Sequence, residues 1–117
     1  MKLRDILEAV DGKLLTGPCN LDLEIAQVAS SDLMSDVLAF SVPHALLLTG
    51  LANSHVILTA EVADISAIVL VRGKTPADGM VDLAAEKQIP LITSPHCMFE
   101  MCGRLFKAGL KGCDVRG

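Results

Sequence analysis

The chain has no tryptophan and no tyrosine, and its aromatic content is three phenylalanines. Proteins that hold single-stranded nucleic acid stack bases on aromatic rings and neutralise phosphates, so this shortage removes half of that machinery. The other half is missing as well. Acidic residues outnumber basic ones by 14 to 10, the formal net charge is -4, and the two signs are mixed along the chain without a basic patch. Nucleic acid is therefore excluded as a partner. No C-x-x-C spacing occurs among Cys19, Cys97, Cys102 and Cys113. On one helix Cys97 and Cys102 would lie about 140° apart around the axis, too far to share a metal. Neither a metal nor another cofactor is expected.

Familiar phosphate loops fail too. Gly73-Lys74-Thr75 would need its upstream glycine where Ile68 stands, and Gly50-Leu51-Ala52-Asn53 lacks the further glycines of the dinucleotide fingerprint. His44 and His55 have no serine or carboxylate at a recognisable spacing, so no set of nucleophile, base and oxyanion donor emerges. From Val37 to Ala60 there is no charged residue, but Pro43, Thr49, Gly50, Asn53 and Ser54 interrupt the run, which argues against a membrane span. Met1-Lys2-Leu3-Arg4-Asp5 brings charge where a signal peptide needs its apolar core. A cytoplasmic chain with free thiols is the expectation.

What the sequence does have is apolar surface. Hydrophobic residues make up 51% of 117, enough for one core, so residues 1–117 read as a single domain. Leu3, Ile6, Leu7 and Val10 follow a helical period closed by Asp11-Gly12, and Lys13–Thr16 is a short strand. The segment Leu21–Ala29 reads as an edge strand entering a sheet. Apolar runs at Ile25–Ala29, Ala45–Leu48, Ala67–Val71 and Pro90–Thr93 then start about 20 residues apart, each followed by a helical stretch. That repetition predicts parallel βαβ units: an α/β fold with a mainly parallel sheet of about five strands and helices on both faces. Ala67–Val71, apolar throughout, is its central strand.

Two helix starts are predicted from capping residues. Thr75-Pro76-Ala77-Asp78 offers an N-cap, a first-turn proline and an acid, and Ser94-Pro95 offers the same start for a last helix over roughly Pro95–Ala108, ended by Gly109. On that last helix Met98, Met101, Cys102 and Leu105 form one stripe, Phe99 and Phe106 an adjoining one, and Glu100 pairs with Arg104. A face so wide predicts a homodimer through Met98, Phe99, Met101, Leu105 and Phe106, the alternative being a fully buried helix. Cys97, in the first turn beside His96, reads either as a redox-sensitive thiol or as packing.

Ligands of open parallel sheets bind at the carboxyl ends of strands. That rule selects four loops: Ser30-Ser31-Asp32, Thr49–Ser54, Arg72–Thr75 and Thr93–His96. Their hydroxyls, glycines and cations make Ser31, Thr49, Gly50, Asn53, Arg72, Gly73, Lys74 and Ser94 the candidate ligand-binding residues, suited to a nucleotide or phosphorylated metabolite. The same residues are also ordinary loop and cap vocabulary.

Several phrases in order resemble one family: Ser31-Asp32-Leu33-Met34-Ser35-Asp36-Val37-Leu38, Leu46-Leu47-Leu48-Thr49-Gly50-Leu51-Ala52-Asn53, Ala60-Glu61-Val62-Ala63-Asp64-Ile65, Ala67–Lys74, and Ile89-Pro90-Leu91 leading to Met98-Phe99-Glu100. Together they resemble the DRTGG domain family, to whose broad group the amino-terminal domain of HPr serine kinase also belongs. The resemblance implies a parallel α/β domain, commonly dimeric, found beside CBS domains in regulated pyrophosphatases or fused to phosphotransacetylases, where it regulates or assembles while catalysis lies elsewhere. The name-giving letters are mostly replaced: the Asp-Arg pair falls near Ala52-Asn53 and the Thr-Gly-Gly near Val71-Arg72-Gly73. The leading expectation is a non-catalytic regulatory module that senses a small anion, assembles with a partner, or does both. The alternatives are a ligand-free dimeric adaptor for a larger metabolic or redox enzyme complex and, third, a small enzyme.

Overall fold

The computed structural model describes residues 1–113. In chain order the elements are α1 (Leu3–Ala9), β1 (Lys13–Leu14), β2 (Gln27–Ser30), α2 (Met34–Phe40), β3 (Leu46–Thr49), α3 (Ser54–Val62), β4 (Ala67–Leu70), α4 (Met80–Glu86), β5 (Leu91–Thr93), α5 (Met98–Lys107) and β6 (Lys111–Gly112). They build one six-stranded sheet in the order β1-β5-β4-β3-β2-β6. All neighbours are parallel except β1, which runs antiparallel to β5.

Strand periodicity sorts the side chains onto two cores. Leu47, Ile68, Leu70 and Leu91 point to the face packed by Met34 and Val37 of α2, Val56, Ile57 and Ala60 of α3, and Met80 and Ala84 of α4. Leu46, Leu48, Val69, Val71 and Ile92 point the other way, onto Leu3 and Ile6 of α1 and Met101 and Leu105 of α5. Every residue of β3 and β4 is buried, as the uninterrupted apolar runs require. From β2 to β5 each strand lies beside its predecessor, always stepping the same way, which puts α2, α3 and α4 on a single face. Then α5 carries the chain back across the opposite face to lay β6 outside β2.

The α/β class, the parallel sheet and the helices on both faces match the sequence reading, and four details differ. The segment read as an edge strand is flanked on its far side by β6, two residues too short to show any alternation. Helix α4 starts at Met80 and not beside Pro76, because the amide of Ala77 donates to the carbonyl of Ala52 at 2.8 Å and holds Thr75–Ala77 as a loop against the β3–α3 connection. Its N-cap is Gly79, at φ +85°. Helix α5 starts at Met98 with Cys97 as N-cap, since Ser94 is drawn away from a capping role. Finally, Met101 and Leu105 are core residues, while Phe99 and Phe106 are exposed.

Among the described residues no helix is long and apolar enough to cross a membrane, and no group of three or more His, Cys, Asp or Glu is placed to hold a metal ion.

Candidate functional site at the carboxyl ends of the strands

The four loops selected from the sequence do follow β2, β3, β4 and β5, all at the same end of the sheet. What they do with their polar groups is largely internal. After β2, the amide of Ser31 donates to the Leu48 carbonyl at 3.1 Å, and its hydroxyl accepts from the Leu33 amide at 3.0 Å. Asp32 reaches across to β3. One oxygen of its carboxylate accepts from the Thr49 hydroxyl at 2.9 Å and from the Gly50 amide at 2.6 Å. Thr49, fully buried, in turn accepts from the Leu51 amide at 3.2 Å. The donors that would greet an anion after β3 are thus already turned toward a carboxylate of the chain itself. A Cβ on Gly50 would lie 3.3 Å from an oxygen of Asp32, so glycine keeps this approach open. Asn53 is exposed, next to the start of α3.

The connections diverge between β4 and β5, since α4 leaves to one face and α5 to the other. This is where an open α/β sheet forms its crevice. Here backbone hydrogen bonds lace the crevice. Arg72 and Gly73 both have left-handed backbones, at φ +62° and +63°. Their successive amides consequently face the next loop, Arg72 donating to the His96 carbonyl at 2.8 Å and Gly73 to the Ser94 carbonyl at 2.7 Å. Ser94 is completely buried; its hydroxyl donates to the Val10 carbonyl at 2.6 Å and accepts from the His96 amide at 3.2 Å. His96 Nε2 lies 2.8 Å from an Asp11 oxygen, and Arg104 approaches the same oxygen at 3.6 Å while donating to the Ala9 carbonyl at 3.2 Å. The hydrogen bond from His96 holds the Asp11 carboxyl below its usual range; desolvation opposes it, and the smaller charge effects of Arg104 and His96 add to the lowering.

Cations remain on the rim. Arg72 and Lys74 are exposed and have no ion-pair partner among the described residues. Lys13 joins them: the antiparallel register sets it opposite Thr93, whose hydroxyl donates to the Lys74 carbonyl at 3.4 Å. Lys13 is exposed and likewise unpaired among the described residues. Sequence reasoning missed it because only the pairing of β1 with β5, across most of the chain, brings it to this end. Of the eight residues selected from sequence, then, Arg72 and Lys74 present free charge, Asn53 presents an exposed side chain, and Thr49 and Ser94 face inward.

The fold is that of a parallel α/β module whose crevice is laced by backbone hydrogen bonds and whose rim carries exposed cations. The family is specific: residues 5–108 match the model of the DRTGG domain, and the chain belongs to that family. Among solved structures it is similar to the CBS and DRTGG domains of the regulatory region of Clostridium perfringens pyrophosphatase, complexed with the activator diadenosine tetraphosphate. The TM-score is 0.75 at 17% identity, over 97% of this chain and 48% of that one, so this chain spans about half the length of its structural relative. No curated protein matches it.

Proposed function

We propose that this chain is a non-catalytic regulatory module that senses a small anion, a nucleotide or phosphorylated metabolite, at the carboxyl ends of β4 and β5. The observation that supports it is the gathering of Lys13, Arg72 and Lys74 at one sheet end, without ion-pair partners among the described residues, in a chain of net charge -4. Unpaired charge concentrated on one rim raises the local concentration of an oppositely charged ligand. The relative described above supports the ligand class, since its regulatory region was captured with a polyanionic nucleotide activator. A thermal-shift series with ATP, ADP, diadenosine tetraphosphate and sugar phosphates tests the reading. A ligand at about 100 times its dissociation constant stabilises by about 2.7 kcal/mol, a shift of about 10 °C in a domain of this size. The shift should be lost in Arg72→Glu and Lys74→Glu and weaken with added salt. Absence of stabilisation by every anion favours the second reading, a dimeric adaptor for a larger enzyme. The observation on that side is the exposure of all three phenylalanines.

A further inference from the structure

At the opposite end of the sheet, where the strands begin, a cavity of about 450 Å³ opens beneath the β1–β2 loop. Its walls come from that loop, from the start of β4 and from the turn joining α4 to β5. It lies within the size range of small-molecule sites. Among the described residues no Asp, Glu, Lys or Arg lines it. The polar residues of its lining are instead Thr16, Ser66, Asn20 and Gln88, over apolar residues that include Leu23 and Ile89. Burial pushes the Cys19 thiol in this lining up, which keeps it uncharged as well.

We propose that this cavity is a second ligand site, for a neutral heterocyclic molecule of nucleoside size. Three features select that class. With no charged group in the wall, a phosphate or carboxylate entering it would lose water without gaining a counter-charge. The primary amide of Gln88 offers a donor and an acceptor in one plane, the pattern that matches the edge of a purine base. Asn20 uses its carbonyl oxygen on the Asp22 amide at 3.0 Å, which leaves its amide hydrogens to donate. Thr16 accepts from the Leu91 amide at 3.3 Å, so its own proton is likewise free to be donated to a ligand. The site is separated from the cationic rim by the length of β4, roughly 13 Å for four residues, and the two ends would bind independently chosen ligands.

Amide-resolved NMR titration of the full chain with adenosine, which carries no phosphate, tests this separately from the anion reading. Adenosine is expected to move the resonances of Thr16, Gly17, Cys19, Asn20, Ser66 and Gln88 and to leave Arg72, Gly73 and Lys74 in place. Asn20→Ala and Gln88→Ala, both at exposed positions, should keep the native spectrum and weaken binding at least tenfold each. Ala85→Trp, which places an indole at the mouth, should abolish it. The proposal is overturned if adenosine moves no amide up to millimolar concentration, if it moves only those of the cationic rim, or if the double Asn20→Ala, Gln88→Ala variant binds as tightly as the parent.

Discussion

Asp11 carries more of this structure than its position in a surface turn suggests. It follows α1 with φ +51°, a conformation that only a few residue types tolerate, and its carboxylate receives His96 from the β5–α5 loop. Because its folded pKa is depressed, the stabilisation it provides is present above the unfolded value and is lost as pH falls through the folded one. Asp11→Asn keeps a residue suited to the left-handed turn and removes the charge alone. Thermal melts between pH 7 and pH 2 should show the variant less stable than the parent near neutrality, with the gap closing below the ordinary carboxylate range. A gap that stays constant with pH would show that the charge is irrelevant. None of this is readable locally: the sequence sets His96 beside Cys97, whereas its partner lies 85 residues away. The same holds for Asp32, whose bonds to Thr49 and Gly50 span 17 and 18 residues. Candidate site residues could be chosen by type, but whether each faces a ligand or the protein depended on such distant partners.

At the scale of elements, the strands were the most legible part, because β3 and β4 are buried on both sides and an unbroken apolar run has few other uses. Helix starts were less so. The Thr75-Pro76 signal is a sound local preference that the tie between Ala77 and Ala52 overrides, shifting the start of α4 to a glycine with a left-handed backbone. A side chain added there meets nothing within 4 Å, so any penalty comes from the backbone alone. Gly79→Ala should therefore destabilise by about 1–2 kcal/mol, and Pro76→Ala by less than about 1 kcal/mol, as read by urea unfolding. The reverse ranking would mean that Pro76, not Gly79, sets the start of α4.

For the molecule as a whole, the core contains no aromatic ring: it is aliphatic and methionine-rich, and Phe40, Phe99 and Phe106 are 52%, 87% and 73% exposed. Composition gave the excess of apolar surface but not which stripe of α5 is turned outward, because that depends on how α5 sits against α1. The homodimer proposed from the sequence is left with Phe99 and Phe106 as its exposed contacts on α5, Met101 and Leu105 being buried in the core. Phe99→Asp with Phe106→Asp should convert a particle of twice 12.4 kDa into one of 12.4 kDa by light scattering with the fold retained, while Met101→Asp should unfold the chain. A parent mass of 12.4 kDa at every concentration would remove the dimer. The winding of the sheet also orders events in time. Neighbouring strands from β2 to β5 pair across about 20 residues each, so little loop entropy is lost in bringing them together. The outer pairs, Lys13 with Thr93 and Gln27 with Lys111, close loops of about 80 residues and hold only two residues apiece. Folding should therefore proceed from the middle outward, with the two borders the last to form and the first to exchange their amide hydrogens. Since Lys13 lies on one of those borders, the cationic rim is completed only when the sheet closes, and a partly folded chain would not yet have it.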